Sequence, residues 1–231
     1  MIVNYDEFKL QDDYFLKGEA DAYFNRNSRK LSNVKKDEDF IFSSIVRMNI
    51  KPKTVLEVGC ANGFRLNWLN QDYNCRVVGI EPSKQAVEDG NKKFPNIELK
   101  IGTSDMLEKI ESFFNIIILG FFVYLLPREK LFKLAYEVDR HLEEGVYVVG
   151  LDFNTKFPIM NRYAHLKDIY SFKFDLAKMF TWNPQYMEVF KQIINHDEKP
   201  FLGNQDEVIG CTILRKNSIS QSYMNPKNFQ H

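Results

Sequence analysis

Two carboxylates in the first half of the chain each end an apolar, strand-like run. One run ends in Glu57 and the next ends in Glu81, at the separation expected for consecutive parallel strands of a βαβ unit. Gly59 and Gly63 come shortly after the first carboxylate, at a spacing that lets the backbone turn from a strand into a helix. Such turns bind nucleotide-like ligands in α/β sheets. The pattern therefore indicates a site for an adenosine-containing cofactor.

The glycine spacing excludes two common nucleotide-binding turns. A dinucleotide fingerprint reads G-x-G-x-x-G, whereas here Gly59 and Gly63 flank Ala61. A phosphate-binding loop needs a Lys-Ser/Thr pair after its last glycine, and Gly63 is followed by Phe64 and Arg65. The ligand expected at this turn therefore has a ribose and a polar amino-acid end but no phosphate.

The elements predicted around this turn alternate between strands and helices. The alternation runs from about residue 37 to 151, which is typical of a parallel sheet covered by helices. Residues 113–119 are almost continuously apolar and predict a central strand that is buried on both faces. Two later runs, 186–195 and 207–215, predict an antiparallel pair. The predicted fold class is α/β: a Rossmann-like, doubly wound, seven-stranded, mostly parallel sheet with an antiparallel C-terminal hairpin strand.

Local signals predict where some of the helices begin and end. Ser83 is expected to cap a helix that runs to about Lys93. Apolar residues at three- and four-residue spacing over residues 128–142 predict an amphipathic helix, with Gly145 in its C-cap region. The polar tail, residues 218–231, is expected to be flexible.

One domain with an insertion is the simplest organisation for this chain. Its 231 residues are within the usual size of a single sheet-based domain. The domain is predicted to span residues 1–217, followed by the tail. Its predicted parts are an N-terminal helical lid (1–36), a cofactor-binding core (37–151), an aromatic-rich cap insertion between strands five and six (152–184) and a closing hairpin (185–217).

The composition disfavours several classes of partner. Lys and Arg total 31, as do Asp and Glu, so the balanced charge favours neither nucleic acid nor an anionic membrane. The longest apolar run, around residues 116–126, is too short to span a bilayer, and the N-terminus does not resemble a secretory signal. A cytoplasmic location is therefore expected. The three cysteines form no C-x-x-C pair, and no metal site or disulfide is predicted.

With these motifs the chain resembles the class I S-adenosylmethionine-dependent methyltransferases. The resemblance covers about residues 37–151, together with the closing hairpin at 186–215. The family pattern E/D-x-G-x-G-x-G matches Glu57-x-Gly59-x-Ala61-x-Gly63, with alanine in place of the middle glycine. The cofactor that this resemblance implies is S-adenosyl-L-methionine.

The resemblance also implies a role for several strand-end residues. Glu57 would orient the amino end of the cofactor directly or through water, and Glu81 would accept hydrogen bonds from both ribose hydroxyls. Asp105 would bond the adenine amino group while Met106 covers the ring. Strand four ends where the cofactor and substrate meet. The cofactor-binding residues predicted from the core are Glu57, Gly59, Cys60, Ala61, Gly63, Glu81, Pro82, Ser104, Asp105, Met106, Leu119 and Gly120.

The segment before the sheet looks like the leader of one bacterial group of these enzymes. It reads G-E-A-D-A-Y-F-N-R-N over residues 18–27, a pattern of methyltransferases associated with surface-polysaccharide and secondary-metabolite gene sets. A plainer interpretation is an amphipathic helix that packs Phe15, Ala22 and Tyr23 on the core. If the resemblance holds, Tyr14, Tyr23, Arg26 and Asn27 close over the cofactor, and Arg26 can meet a carboxylate or phosphate bidentately. Tyr14 and Arg26 are predicted to bind the cofactor, and Tyr23, Asn27, Tyr124 and Tyr163 the substrate.

The methyl acceptor is expected to be a polar small molecule. The tetrapeptide N/D-P-P-Y/F of enzymes that methylate DNA or protein glutamine is missing after strand four. A sugar, sugar nucleotide or polysaccharide precursor is the leading prediction, with transfer to oxygen or nitrogen. A hydroxyl acceptor benefits from a base, whereas a neutral amine needs little more than alignment. Asp152 and His165 are the predicted catalytic candidates, and His196 is a weaker one.

Other functions fit the same sequence. The acceptor could instead be a natural product or a phosphoramidate-like group. The chain could also be a cofactor-binding module without catalysis, and an NAD-linked oxidoreductase is a more distant alternative. Oligomeric state and any metal requirement are not readable from the residues.

Overall fold

A computed structural model describes residues 11–167, 169–195 and 205–225 of the chain. A seven-stranded sheet has the strand order β3-β2-β1-β4-β5-β9-β8, in which β1 to β5 are parallel and β9 is antiparallel to both β5 and β8. The predicted doubly wound, mostly parallel sheet is confirmed. The strands of this sheet are β1 (Thr54–Val58), β2 (Arg76–Glu81), β3 (Glu98–Ile101), β4 (Phe114–Gly120), β5 (Leu142–Phe153), β8 (Tyr186–Asn195) and β9 (Val208–Lys216).

Helices cover both faces of the sheet, and short 3₁₀ turns connect several strands to helices. Ser83 caps its helix as predicted, because its hydroxyl accepts a hydrogen bond from Ala86 N at 3.0 Å. The helices are α1 (Gln11–Tyr14), α2 (Ala20–Asn33), α3 (Phe40–Arg47), α4 (Phe64–Tyr73), α5 (Lys84–Lys93), α6 (Leu131–Arg140) and α7 (Ile219–Ser222), with a π-helical turn at Phe15–Glu19. The 3₁₀ turns are Ser104–Lys109, Val123–Leu125, Arg128–Lys130, Leu176–Met179 and Gln205–Glu207.

Strand β4 lies at the centre of the core. Its side chains Ile116, Ile117, Ile118 and Leu119 are all fully buried, and alternate members pack into the hydrophobic clusters on the two faces. Burial on both faces explains the continuous apolar run in the sequence. The strand therefore holds its C-terminal end, Gly120, at a fixed position beside the end of β1.

The aromatic-rich insertion after β5 forms a small hairpin. Strands β6 (Ile159–Arg162) and β7 (Tyr170–Lys173) pair antiparallel to each other in a sheet of their own. The insertion continues through a 3₁₀ turn before β8 begins. This hairpin lies beyond the end of β5, at the edge of the main sheet where the predicted site residues gather.

Some predicted boundaries are wrong. Gly145 does not cap a helix, because α6 ends at Arg140 and β5 already begins at Leu142. Gly145 instead lies within the strand with a φ of 81°, in a stretch where the pairing of β4 with β5 shifts register. A bulge of this kind favours glycine because it needs a left-handed backbone. The tail also forms one helical turn, α7, closed by a capping box at Ser218.

Two predictions lie outside the described residues. The absence of a secretory signal depends on residues 1–10, and the candidate His196 lies in the segment 196–204. No helix within the described residues has both the length and the apolar character needed to cross a membrane.

Candidate active site

The turn after β1 brings its backbone close to the end of β4. Gly59, Ala61 and Gly63 all have a positive φ, of 74°, 50° and 77°. Left-handed backbone is rare for alanine, so Ala61 is strained, as residues at ligand sites often are. A Cβ on Gly120 would lie 2.7 Å from the carbonyl oxygen of Gly59, so the two strand ends require glycine to approach this closely.

Glu81, at the end of β2, ties the glycine turn to the next helix. Its Oε2 accepts from Ala61 N and its Oε1 accepts from Ser83 N, both at 2.9 Å. A carboxylate has about four lone-pair sites, so two remain for ligand donors. Burial raises the pKa of Glu81 to about 7, although the two backbone N–H groups oppose the shift. Glu81 is therefore a hydrogen-bond acceptor that faces the cavity described below and retains spare capacity.

Beneath the turn, Arg65 joins two buried carboxylates that lie far apart in the sequence. Its Nε and Nη2 donate to the two oxygens of Asp39 at 2.9 and 2.7 Å, and its Nη1 donates to Glu57. Burial raises the pKa of Glu57 to about 7, although the positive charge of Arg65 opposes the shift. The other carboxylate oxygen of Glu57, Oε2, is buried without a hydrogen-bond partner in the described structure.

A cavity opens above the glycine turn and contains about 890 Å³ of empty space, part of it open to solvent. A smaller cavity of about 470 Å³ adjoins it near the loop after β3. Phe122 lines both cavities. It lies close to Gly59, because a Cβ built on Gly59 would be 3.1 Å from Phe122 Cδ1. The smaller cavity is lined by Phe15, Val58, Gly59, Pro82, Gly102, Thr103, Ser104, Phe122, Leu125 and Leu126.

The leader helix forms one wall of the larger cavity. Ala20, Tyr23, Phe24 and Leu31 of α2 line it, together with Phe15 from the preceding turn. Tyr23 and Phe24 follow Ala20 by three and four residues, and Leu31 follows Phe24 by seven, so these α2 positions share one helical face. Sequence reasoning identified Tyr23 but missed the others, and this helical periodicity is the signal that would have found them.

Aromatic rings line the opposite wall, at the end of β4. Phe121 and Tyr124 lie 5.2 Å apart and each packs within 5.3 Å of Phe153. Phe121 has a φ of 58°, a strained value for an aromatic residue. The hydroxyls of Tyr23 and Tyr124 form no hydrogen bond within the described structure. Burial raises the pKa of both phenols, so they stay protonated at neutral pH.

Two polar contacts fasten the leader over this cavity. The carboxylate of Asp21 accepts from Ser83 Oγ at 2.7 Å and from Gln85 N at 3.1 Å, at the start of α5. On the other side, buried Glu19 accepts from Arg26 at 2.5 Å and from the Tyr163 hydroxyl at 3.0 Å. The leader therefore contacts both the cofactor side of the core and the cap hairpin.

These features fit S-adenosylmethionine. Glu81 has spare acceptor capacity for ribose hydroxyls, the unpartnered Glu57 oxygen lies under the turn, and residues 59–61 of the turn line the larger cavity. Residues 55–145 match a family model described as a methyltransferase domain. Residues 55–145 therefore carry a methyltransferase domain. This match and the similar structures solved with S-adenosylhomocysteine confirm the predicted enzyme class and its methyl donor, S-adenosylmethionine.

Solved structures of other proteins show the same fold. The Burkholderia thailandensis 1,6-didemethyltoxoflavin-N1-methyltransferase is 11% identical with a TM-score of 0.67, over 94% of this chain and 92% of its own. The plantazolicin methyltransferase BamL is 13% identical with a TM-score of 0.63, over 93% and 98%. TehB from Haemophilus influenzae is 16% identical with a TM-score of 0.60, over 79% and 67%. The sequence matches none of the curated proteins compared with it.

Several predicted cofactor residues of this methyltransferase line the cavities, and others do not. Asp105 is held by Lys130 and Lys133 at 2.6 and 3.0 Å, and neither it nor Met106 lines a cavity within the described residues. Leu119 is fully buried in the core. Gly63 packs against β3, where a Cβ would lie 2.5 Å from Ile97 Cδ1. The predicted cofactor residues that do line a cavity are Gly59, Cys60, Ala61, Glu81, Pro82, Ser104 and Gly120.

The predicted leader residues have different positions. Tyr23 lines the larger cavity, whereas Arg26 pairs with Glu19 at its edge. The Asn27 amide donates to the Tyr23 carbonyl of its own helix at 2.9 Å, and Tyr14 is exposed. The plainer interpretation of an amphipathic leader helix therefore accounts for part of this segment, and closure of the leader over the cofactor stays a prediction.

Neither predicted catalytic candidate of the methyltransferase lines the cavity. Asp152 is only 4% exposed, and its oxygens accept from Phe153 N at 2.7 Å and Tyr124 N at 3.3 Å. Burial raises its pKa to about 7, although these backbone donors oppose the shift. His165 is exposed and stacks edge-on against Tyr163. Among the described residues, no group of three His, Cys, Asp or Glu side chains could hold a metal ion.

Proposed function

We propose that this methyltransferase transfers a methyl group to a nitrogen of a flat, largely apolar small molecule. The observation that carries this proposal is the aromatic lining of the larger cavity, from Tyr23 and Phe24 on one side and Phe121 and Tyr124 on the other. Aromatic walls favour a planar acceptor that buries its faces, with a few polar groups to orient it. The two unpaired tyrosine hydroxyls are suited to that orienting role.

Residues at the glycine turn are proposed to bind the cofactor. Glu81 would accept from the ribose hydroxyls, and the backbone of residues 59–61 would lie along the methionine part. The smaller apolar cavity at Gly102 to Ser104 suits the adenine ring. When bound, S-adenosylmethionine supplies an electrophilic methyl group. The residues around it fix the acceptor in line with that methyl group, and positioning of this kind accounts for much of the rate in such displacements.

The described cavity lining offers no strong base for a hydroxyl acceptor. Glu81 already accepts two backbone hydrogen bonds and is proposed to hold the ribose. Burial raises the pKa of the Cys60 thiol well above its usual value, so it stays protonated. A neutral nitrogen attacks the methyl group without prior deprotonation, and S-adenosylhomocysteine leaves as the carbon–sulfur bond breaks. An amine then loses its proton to water, whereas a pyridine-type ring nitrogen remains as the methylated cation. This reasoning favours N-methylation over O-methylation.

Proteins of the same fold bind compatible acceptors. The Burkholderia enzyme is an N1-methyltransferase solved with 1,6-didemethyltoxoflavin and S-adenosylhomocysteine, and BamL was solved with a desmethylplantazolicin analogue. The sugar-type acceptor expected from the leader pattern remains an alternative. It is less favoured because sugar hydroxyls need several polar partners, and the larger cavity is lined mainly by apolar and aromatic side chains.

A radiolabel transfer experiment tests this function. The purified protein is incubated with [methyl-³H]S-adenosylmethionine and, separately, quinoline, aromatic amines, phenols, UDP-glucose and other nucleotide sugars. We expect label in compounds with a ring nitrogen or amine. Exclusive labelling of a nucleotide sugar would contradict the aromatic acceptor. Binding of S-adenosylhomocysteine without any transfer would favour the non-catalytic module, and tight NADH binding in its place would revive the oxidoreductase alternative.

Tyr124→Phe tests the acceptor wall, with Tyr136→Phe as the matched control on an exposed face of α6. Loss of the Tyr124 hydroxyl should raise the acceptor KM severalfold, because a hydrogen bond is typically worth about 1 kcal/mol. Affinity for S-adenosylhomocysteine should not change. The control should behave as the wild type in both assays.

A further inference from the structure

The short 3₁₀ turn Val123–Leu125 sets the position of Tyr124 in the cavity wall. Its backbone is bonded from two sides by side chains of opposite charge. Tyr124 N donates to Asp152 Oδ2 at 3.3 Å, and the Val123 carbonyl accepts from Arg128 Nη2 at 2.5 Å. Arg128 Nε also donates to the Leu126 carbonyl at 2.9 Å. The amide side of the turn therefore meets a carboxylate, and its carbonyl side meets a guanidinium.

Arg128 also links this turn to the cap hairpin. Its guanidinium lies 4.6 Å from the ring centre of Phe172 on β7 and 5.5 Å from that of Phe174. A planar guanidinium can stack its face on aromatic rings while its edge donates hydrogen bonds. Arg128 is mostly buried in this arrangement, and neither Arg128 nor Asp152 lines the two cavities above the sheet. Movement of the hairpin would therefore be transmitted to the turn through Arg128.

The orientation of Tyr124 depends on this turn. Its ring is packed by Phe121 and Phe153, but its hydroxyl has no hydrogen-bond partner in the described structure. A ring without a hydroxyl anchor takes its direction from its backbone and its packing neighbours. Hydrogen bonds on both sides of the backbone restrict that direction further than packing alone. The bond from the Arg128 guanidinium is charge-assisted, and such bonds are about twice as strong as neutral ones.

We propose that Arg128 and Asp152 are positioning residues that hold the Tyr124 hydroxyl toward the acceptor without touching it. This inference rests on the proposed function, in which Tyr124 orients the acceptor. It assigns Asp152 a structural part in the acceptor site in place of the catalytic role expected from the sequence. It also makes Arg128, which sequence reasoning did not select, the link between the cap and the acceptor wall.

Tyrosine NMR tests the proposal without needing an acceptor. The full chain is labelled with [¹³Cζ]tyrosine, and the Tyr124 resonance is assigned from its loss in Tyr124→Phe. Arg128→Met and Asp152→Asn should each broaden this resonance or split it into two. The matched controls are Arg140→Met, which removes bonds to Glu137 and Glu108 O, and Asp175→Asn, which weakens a cap on Ala177 N. Both controls should keep one sharp Tyr124 signal.

Arg128→Lys is the conservative variant, and it should partly restore the single Tyr124 resonance. An intermediate effect of this kind separates loss of the guanidinium bonds from general misfolding. Lysine keeps the charge but loses the forked donors, so we expect a smaller second population than in Arg128→Met. An unchanged, single Tyr124 resonance in folded Arg128→Met and Asp152→Asn would overturn the proposal. For the panel compound with the highest turnover, the acceptor KM should rise at least threefold in Arg128→Met, with S-adenosylhomocysteine affinity within twofold of wild type.

The two possible failures are distinguishable. If the wild type fails to bind S-adenosylhomocysteine, the proposed function is wrong, and the NMR comparison still decides whether Arg128 and Asp152 hold Tyr124. If binding and transfer occur but Tyr124 does not respond to either change, only the positioning role fails.

Discussion

Glu81 combines a structural role with a proposed ligand-binding role in one side chain. Its two oxygens hold Ala61 N and Ser83 N, so the carboxylate fixes both the strained turn and the start of α5. It also faces the cavity, where spare lone pairs remain for donors from a ligand. Loss of this carboxylate should therefore affect ligand affinity more than loss of an exposed acid on the neighbouring helix α5.

Glu81→Ala is expected to weaken binding of S-adenosylhomocysteine by about 1.5–3 kcal/mol, the usual value of hydrogen bonds to a charged group. Isothermal titration calorimetry measures the change. Glu88→Ala, at an exposed position of α5, is the control and should bind as the wild type does. Equal affinities of Glu81→Ala and the wild type would refute the ribose assignment.

The raised pKa of Glu81, about 7, should make cofactor binding depend on pH. Ribose hydroxyls donate to the ionised carboxylate, so affinity should increase as pH rises from 6 to 8 and fall by up to about tenfold per pH unit below 7. Calorimetry across this range measures the slope. Glu81→Gln should flatten it, whereas Asp152→Asn, which removes a carboxyl of similar pKa that lines neither cavity, should preserve it.

At the scale of elements, the leader helix is fastened to the core by few polar contacts. Asp21 bonds Ser83 Oγ and Gln85 N at the start of α5, the helix that Glu81 also helps to fix. Carboxylates stabilise helix N-termini, because free backbone N–H groups point toward them. Ser83 therefore connects the leader with the glycine turn, because its hydroxyl bonds Asp21 and its backbone N–H bonds Glu81, which also bonds Ala61 N.

Asp21→Ala should loosen the leader by about 1 kcal/mol and weaken S-adenosylhomocysteine binding severalfold. Limited proteolysis within residues 11–33 should become faster, and bound S-adenosylhomocysteine should slow it again. Asp13→Ala is the control, because Asp13 contacts only the exposed Lys17 of the same segment among the bonds described. A proteolysis rate in Asp21→Ala equal to that of the control would show that the contact does not fasten the leader.

For the whole molecule, burial raises the pKa of three carboxyl groups, and this should make its stability depend on pH. The pKa values of Glu57, Glu81 and Asp152 are each raised by burial to about 7, from ordinary values of 4.5, 4.5 and 3.8. A carboxyl with a raised pKa binds its proton more tightly in the folded state. Its stabilising contribution is complete below the unfolded pKa and is lost as pH rises through the folded one.

The free energy of unfolding of the ligand-free protein should therefore decrease between about pH 5 and pH 8. Urea unfolding at half-unit pH intervals measures this slope. Asp152→Asn removes one of the three groups and should make the slope shallower. Asp175→Asn, at a partly exposed cap, should leave it unchanged. A free energy of unfolding that rises over this interval would contradict the burial effect.

The local chemistry of the chain was sufficient to predict the sheet, the glycine turn and the position of Glu81. Strands and helices follow from hydrophobic periodicity, and a turn of this kind needs glycine at fixed steps from the strand, so both features are encoded within short segments. The sequence therefore determined the α/β core and the class of cofactor.

The tertiary structure decided which polar groups are already paired. Asp105 looks available in the sequence, but Lys130 and Lys133, from the start of α6, engage it once the sheet is assembled. Asp152 faces the backbone of a turn that precedes it by 28 residues, and it holds this turn in place without lining the cavity. Pairing between distant residues depends on strand order and loop direction, which periodicity does not encode. For that reason the methyl donor could be read from the sequence, whereas the acceptor wall could be located only in the folded molecule.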